Sequence, residues 1–343
     1  MRKLLGVAVA GAILFGGQWP QGSPPPAQAL AAGAKKGSLR SAVAGRLREL
    51  RDFSCSYLQS NLVVGNPGQV AFLRRYDSRL RKQGFKGGVF TPPPGAYRYR
   101  CRLFKLGGDL RVVSRLTKAT VRKELAANRT PWLPYSAIRV LTHTRSETLS
   151  RMSRRAPFLG TIAAPALRHK LPLLWALGIL TPASRHMLGV ADLAGFSFAP
   201  LPSGRWSASL AEVIGPPGRS AVRVTGVWHF SAGPRPRMLS FKELYGKFAV
   251  VRIACSGFRR LGGLSLPTKV SARYFDPSWG LVGGCTLSHI RYRIRPAGNV
   301  KALYRIKFPA GTVVHDERVG RSFVVRGKPS YLTDHDIYEM LKH

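Results

Sequence analysis

The segment Tyr97-Arg98-Tyr99-Arg100-Cys101-Arg102-Leu103 alternates apolar residues with arginines. The same alternation returns in Ile290-Arg291-Tyr292-Arg293-Ile294-Arg295 and in Tyr304-Arg305-Ile306-Lys307-Phe308. Because successive side chains of a β-strand point to opposite faces, each segment predicts a strand with one apolar and one cationic face. Such alternation is typical of antiparallel sheets packed on one side, whereas buried parallel strands are apolar throughout. The sequence therefore predicts a mainly β protein of the α+β class, built on an antiparallel sheet.

The charge balance indicates an anionic partner. The chain has 55 lysines and arginines against 15 aspartates and glutamates, a formal net charge of +40. An unpaired guanidinium is costly to bury, so the excess cations must be solvated or neutralised from outside the chain. The candidate partners are membrane phospholipid, an acidic envelope polymer and nucleic acid. A compositional bias of the genome could also supply arginines, although it does not explain why carboxylates are so few.

The N-terminus has the pattern of a secretory signal peptide. Two basic residues precede an uncharged stretch from Leu4 to Gly17, and Ala27-Gln28-Ala29 has the small-x-small form of a cleavage site. We therefore expect residues 1–29 to be removed and the mature chain to be exported to the periplasm or cell envelope. An organellar transit peptide is the alternative, because no acidic residue precedes Glu49.

Helical patterns interrupt the predicted strands at three places. Near-helical spacing of apolar residues predicts an opening helix over Ser38–Leu62. The apolar stretch Leu171–Leu180 predicts a helical insertion at about residues 156–204, within a single β domain spanning 30–328. Residues 329–343 are predicted to form a C-terminal helical tail. The predicted strands are Tyr97–Lys105, Leu110–Leu116, Ile138–Thr144, Glu147–Met152, Trp206–Ile214, Ala221–Phe230, Phe248–Cys255, Lys269–Tyr274, Leu287–Arg295, Ala302–Phe308, Thr312–Val314 and Ser322–Val325.

The four cysteines form no C-x-x-C pair, so the sequence gives little support to a zinc cluster. In an oxidising compartment two disulfides are possible, and proximity along the chain favours Cys55 with Cys101 and Cys255 with Cys285. The alternative is four inward-facing thiols that act as small hydrophobic side chains.

Motifs for catalysis are missing from the sequence. It contains no G-x-S-x-G elbow, no phosphate-binding loop and no H-E-x-x-H helix. The most suggestive polar group is His315-Asp316-Glu317, and these residue types are common in solvated turns. We therefore expect a non-enzymatic protein that needs no cofactor and no metal ion.

Four segments of the chain resemble a known family of exported proteins. They are Leu47-Arg48-Glu49-Leu50-Arg51-Asp52-Phe53, the hairpin Tyr97–Leu116, Leu264-Ser265-Leu266-Pro267-Thr268-Lys269-Val270, and Phe308–Gly320. Their order resembles that of the outer-membrane lipoprotein carrier (LolA/LolB-like) superfamily, especially its larger exported members of the planctomycete type. The resemblance spans about residues 38–328 and is one of pattern.

This resemblance implies a curved antiparallel sheet, or half-open barrel, whose concave side holds acyl chains under a helical lid. The expected function is binding of a lipid or lipoprotein in the cell envelope. The apolar wall would consist of Tyr97, Tyr99, Ile290, Tyr292 and Ile294. Anionic headgroups would bind at Arg98, Arg100, Arg102, Arg291, Arg293 and Arg305. The alternative function is that of an organellar RNA-binding or ribosome-associated basic protein, in which the same cations neutralise phosphates.

Overall fold

The computed structural model describes residues 29–64, 95–126, 134–151, 158–165, 171–183, 186–201, 204–214, 221–232, 235–294, 304–325 and 330–332. The helices in these ranges are α1 (Ala29–Glu49), α2 (Lys118–Ala126) and α3 (Pro172–Leu177), with a short 3₁₀ helix at Ala191–Gly195. The strands are β1 (Asp52–Val63), β2 (Gly95–Leu106), β3 (Asp109–Leu116), β4 (Ser136–Leu141), β5 (Ser146–Arg151), β6 (Leu159–Ala163), β7 (Ser197–Pro200), β8 (Trp206–Ile214), β9 (Val222–Phe230), β10 (Met238–Tyr245), β11 (Phe248–Leu261), β12 (Leu264–Asp276), β13 (Gly280–Ile294), β14 (Val313–Asp316), β15 (Arg321–Val324) and β16 (Ser330–Leu332).

All sixteen strands belong to one large, open, curved sheet, so the predicted mainly β fold is confirmed. Their order is β16-β15-β14-β6-β5-β4-β3-β2-β1-β13-β12-β11-β10-β9-β8-β7. Neighbouring strands are antiparallel except β6 and β14, which run parallel. The first strand lies near the centre, where its pairing with both β2 and β13 joins an N-terminal and a C-terminal meander.

The alternation of residues divides the sheet into two faces, which we call inner and outer. The inner face carries the main core, and its residues on β2 are Tyr97, Tyr99, Cys101, Leu103 and Lys105, all buried. The outer-face residues between them are Arg98, Arg100 and Arg102, all exposed, and Phe104, which is half-buried. The apolar and cationic side chains therefore separate over Tyr97–Leu103, whereas at the end of β2 Lys105 is inward and Phe104 packs on the outer face.

A β-bulge in β13 keeps its apolar residues on the inner face along the whole strand. Arg291 pairs with Ser56 and Ser288 with Leu58, so two residues of β13 face one residue of β1. His289, in the bulge, has a φ of 53°, which is uncommon for a residue other than glycine. Because of the extra residue, the inward side chains have odd numbers before the bulge, as in Cys285 and Leu287, and even numbers after it, as in Ile290.

Two helices cover the inner face over the C-terminal meander. All six residues of α3 are buried, and the Trp175 ring stacks on Phe241 with a centroid distance of 5.4 Å. Helix α1 is joined to α3 through Arg46, whose Nε donates to the Leu177 carbonyl at 3.0 Å. The Nη1 of Arg46 also donates to the Ser265 carbonyl at 3.2 Å. These bonds hold α1 and α3 together against the sheet.

The opening helix is shorter at its C-terminal end than predicted. Helix α1 ends at Glu49, and Asp52–Val63 is strand β1, so the predicted helix over Ser38–Leu62 is wrong beyond Leu50. The segment Phe53-Ser54-Cys55-Ser56-Tyr57 buries every second side chain, which is the period of a strand.

The predicted strand Ala302–Phe308 is also wrong over residues 304–308, which pair with no strand in the described part of the chain. This segment lies against the outer face, where Tyr304 and Ile306 pack with Val140 and Leu149. The Ile306 amide donates to Glu147 Oε2 at 2.7 Å. Burial still alternates along the segment because one side contacts the sheet and the other faces solvent. Alternation in the sequence therefore predicts that one side of the segment is buried, but it does not predict that the segment pairs with a strand.

Several predictions concern residues at the limits of the described ranges. Residues 1–28 of the predicted signal peptide, 1–29, lie outside them, and α1 begins at Ala29. The interruption at 156–204 includes β6, α3, the 3₁₀ helix and β7. The predicted C-terminal helical tail is wrong at residues 330–332, which form β16, and its other residues, 329 and 333–343, lie outside the described ranges. All four cysteines are free thiols, three buried and Cys255 half-buried, so the predicted disulfides are absent and the thiol alternative holds.

Candidate ligand-binding site

A cavity of about 450 Å³ opens on the inner face over the central strands. It lies over β1 to β4, β12 and β13, beside the part of the sheet that α3 covers. Its volume is in the range of small-molecule sites, roughly 300–1,000 Å³. The described residues that line it are Tyr57, Gln59, Asn61, Leu62, Tyr99, Cys101, Val112, Ser114, Pro134, Ala137, Arg139, Leu171, Tyr274, Val282, Gly283, Gly284 and Cys285.

Arg139 reaches this cavity because β4 points its apolar residues to the outer face, whereas the other central strands point theirs to the inner face. Ile138 and Val140 belong to the outer-face cluster with Tyr304 and Ile306. Arg139, between them, therefore faces inward, opposite Val112 of β3. Strand alternation with apolar residues inward would place Arg139 outside, so sequence reasoning missed it. The orientation of β4 follows from the packing of residues 304–308 on the outer face, and the sequence carries no signal for that packing.

The guanidinium of Arg139 has an unsatisfied donor, whereas neutral polar groups around it bond one another. Gln59 Nε2 donates to Asn61 Oδ1 at 2.7 Å, and the Tyr274 hydroxyl lies 3.9 Å from Cys285 Sγ. Arg139 Nε is buried and has no hydrogen-bond partner in the described part of the chain. A buried donor without a partner is unfavourable, which makes Arg139, as a lining residue of the cavity, a candidate contact for a ligand.

The electrostatics of the cavity favour an anion. The described lining residues include one cation, Arg139, and no carboxylate. Burial lowers the pKa of Arg139 because loss of water disfavours its charged form, and the nearby Cys101 and Tyr99 side chains partly oppose this shift. Arginine nevertheless remains protonated in proteins, so the cavity contains a positive charge.

The predicted wall residues all lie on the inner face, but only Tyr99 lines the cavity. Tyr97 and Ile290 are buried in the main core, and Tyr292 and Ile294 pack partly buried against it. The Tyr292 hydroxyl donates to the Pro267 carbonyl at 2.8 Å, which anchors this part of the wall to β12.

The six predicted anion-binding arginines are all exposed. Five belong to the central strands: Ser56 of β1 lies between Arg102 and Arg291, and Arg100 faces Arg115 of β3. Arg305 is separate from them, on the irregular segment 304–308. None of the six takes part in an ion pair among the residues that the structure describes.

A second row of cations crosses the C-terminal meander on the outer face. Lys242 of β10 faces Arg252 of β11, which in turn faces Arg273 of β12. All three side chains are exposed. Like charges placed directly opposite each other across strands repel, so this row also favours a partner that supplies negative charge.

The polar side chains of His315 and Asp316 bond to neighbours within the β14–β15 hairpin. Asp316 accepts a hydrogen bond from Arg318 Nη2 at 2.6 Å, which lowers the pKa of Asp316. His315 Nδ1 lies 2.9 Å from Ser322 Oγ. No group of three or more His, Cys, Asp or Glu residues in the described ranges is placed to hold a metal ion. No helix in those ranges is both long and apolar enough to cross a membrane.

Comparison with known proteins gives only distant structural likeness. No family model matches the chain. No curated protein matches it either. Among solved structures, a LolA superfamily protein from Nitrosomonas europaea is 9% identical, with a TM-score of 0.37 over 78% of this chain and 97% of that one. A DUF1329 family protein from Desulfovibrio piger is 8% identical, with a TM-score of 0.37 over 79% of this chain and 96% of that one. Because both TM-scores are below 0.5, function must be inferred from the chain's own geometry.

Proposed function

We propose that this chain is an exported, non-enzymatic protein of the cell envelope that binds a lipid or lipoprotein acyl chain on the inner face of its sheet. In this proposal it is a larger exported member of the outer-membrane lipoprotein carrier superfamily, and its basic outer face contacts anionic headgroups. One observation carries the proposal: the central strands line a cavity with their inner face and expose arginines on their outer face.

The inner face has the size and composition for an apolar ligand. The cavity of about 450 Å³ can take one small amphiphile or one acyl chain, with Tyr99, Val112 and Leu171 as apolar contacts. Each methylene group buried there contributes about 0.8 kcal/mol. The other predicted wall residues, Tyr97, Ile290, Tyr292 and Ile294, would form the packed apolar support beside the cavity.

The outer face has the charge for an anionic membrane surface. Arg98, Arg100 and Arg102 are exposed on one strand, and Arg291 and Arg293 extend the patch across β1. A basic residue near an anionic bilayer contributes about 1 kcal/mol to adsorption. Base stacking on RNA would need exposed aromatic residues on this same face, whereas Tyr97 and Tyr99 are buried on the opposite one. The geometry therefore favours lipid over the RNA-binding alternative.

Replacing Arg98, Arg100 and Arg102 with glutamine tests the outer patch. We expect the triple variant to bind vesicles of phosphatidylglycerol and phosphatidylcholine at least about tenfold more weakly, and with less salt dependence. The measurement is cosedimentation with vesicles at several salt concentrations.

The matched control replaces Arg223, Arg259 and Arg260 with glutamine, which removes the same charge from exposed positions elsewhere on the sheet. Equal losses in both triple variants would mean that net charge alone drives adsorption. Unchanged adsorption in the first variant would remove the headgroup role of this patch. Binding of RNA without binding of vesicles would favour the alternative function.

A further inference from the structure

We propose that Arg139 binds the carboxylate of a single-chain fatty acid inside the inner cavity, so that the acidic group enters the sheet with its tail. This inference rests on the proposed function and specifies its ligand. It differs from recognition of headgroups by the outer arginines, because Arg139 is on the opposite face.

The cavity offers Arg139 as the natural contact for an acid. Its Nε is buried without a partner among the described residues, whereas the nearby Gln59 and Asn61 side chains are hydrogen-bonded to each other. A carboxylate would satisfy the planar guanidinium through two parallel hydrogen bonds. A neutral ligand would leave the charge of the half-buried guanidinium uncompensated.

The charge count favours a carboxylate over a phosphate monoester. Arg139 is the one charged group among the described lining residues. A carboxylate carries a single negative charge and is neutralised by one guanidinium. A phosphate monoester carries about −1.5 to −2 at neutral pH and would keep uncompensated charge in the cavity.

The position of Arg139 at one side of the cavity leaves space for an apolar tail. Four strand spacings separate β4 from β13, or roughly 19 Å along the curved sheet. Gly283 lies on the inner face of β13 at the far side and presents no side chain there. A Cβ atom at Gly283 would lie 3.2 Å from the Leu62 carbonyl oxygen, so the close strand packing also favours glycine. The tail would run from Arg139 across Val112 and Tyr99 towards this glycine.

The test compares a fluorescent long-chain fatty acid with its methyl ester as probes of the full chain. We expect the parent protein to bind the acid at least about tenfold more tightly than the ester. Arg139→Gln should weaken binding of the acid by at least about tenfold and change binding of the ester by less than about twofold. Arg139→Lys, which keeps the charge, should restore part of the preference for the acid.

The control Arg223→Gln removes an exposed outer-face charge on β9 and should leave both probes bound as in the parent. A second variant, Ala137→Phe, adds a ring to the cavity wall and should weaken both probes together. If Arg139→Gln still binds the ester, its cavity is intact. The comparison of acid and ester in the parent protein tests the proposal even if a variant fails to fold.

The outcomes separate this inference from the proposed function. If the parent binds acid and ester equally, or Arg139→Gln loses both equally, Arg139 does not recognise the carboxylate, while acyl-chain binding stands. If neither probe binds the parent, the proposed function is itself overturned.

Discussion

Lys105 occupies an inner-face position on β2, in line with the buried Tyr97 and Leu103. Its Nζ donates to the Arg51 carbonyl at 2.9 Å and to the Gly107 carbonyl at 2.7 Å. One carbonyl oxygen between α1 and β1 and one in the β2–β3 turn thus solvate an ammonium group inside the sheet. Burial lowers the pKa of Lys105 to about 8, partly opposed by Asp52. Lys105 is therefore a satisfied buried cation, in contrast to the guanidinium of Arg139.

The lowered pKa of Lys105 predicts a stability that rises with pH. Below pH 8 both states hold the proton, and the folded chain bears the cost of the buried charge. Between about pH 8 and 10.5 the unfolded chain still binds the proton that the folded chain has released, so folding becomes more favourable as pH rises. We expect the stability of the parent relative to Lys105→Met to increase by roughly 1 kcal/mol per pH unit in this window.

Urea unfolding at several pH values between 7 and 10.5 measures this slope. Lys307→Met removes one exposed lysine and serves as the control for the change in net charge. A difference between parent and Lys105→Met that stays constant with pH would contradict the assigned burial of the ammonium group.

Among the elements, strand β4 and segment 304–308 depend on each other. The strand turns Ile138 and Val140 outward, and the segment covers them with Tyr304 and Ile306. Glu147 supports this contact, because it is buried, accepts from the Ile306 amide and pairs with Arg145 Nε at 2.8 Å. The inward orientation of the intervening arginine follows from this packing.

Ile306→Ala is expected to lower the free energy of unfolding by about 2–4 kcal/mol, because it leaves a void in the outer cluster. Lys307→Ala, one residue away and exposed, should change it by less than about 0.5 kcal/mol. Urea unfolding curves of the two variants give both numbers. Equal small effects would mean that the segment does not pack against β4.

At the scale of the whole molecule, the sequence predicted the sheet better than the site. Alternation within single segments predicts strands and their two faces, as on β2, because that information is local. The cavity instead combines side chains from distant segments, such as Gln59, Arg139 and Tyr274, whose proximity depends on strand order. Strand β10, which contains buried Met238 and Phe241, was missed because its burial pattern is interrupted by a register shift next to Met238.

The net charge of +40 makes repulsion on the outer face a property of the whole sheet. Arg273→Glu places a carboxylate opposite Arg252 and should stabilise the fold by about 0.5–1 kcal/mol at low salt. Arg273→Gln, which removes repulsion without adding attraction, should give a smaller gain. Both gains should shrink at 1 M salt, where the screening length is about 3 Å. Thermal or urea unfolding at two salt concentrations checks this, and a gain that does not change with salt would exclude an electrostatic origin.

The two outermost strands of the sheet are short. In the described ranges, β16 has three residues and β7 has four, ending in Pro200. An unpaired edge is where another chain can add a strand and begin aggregation, and brief edges with proline limit such growth. These short edges therefore limit strand addition at both ends of the open sheet, also where salt screens the repulsion between molecules.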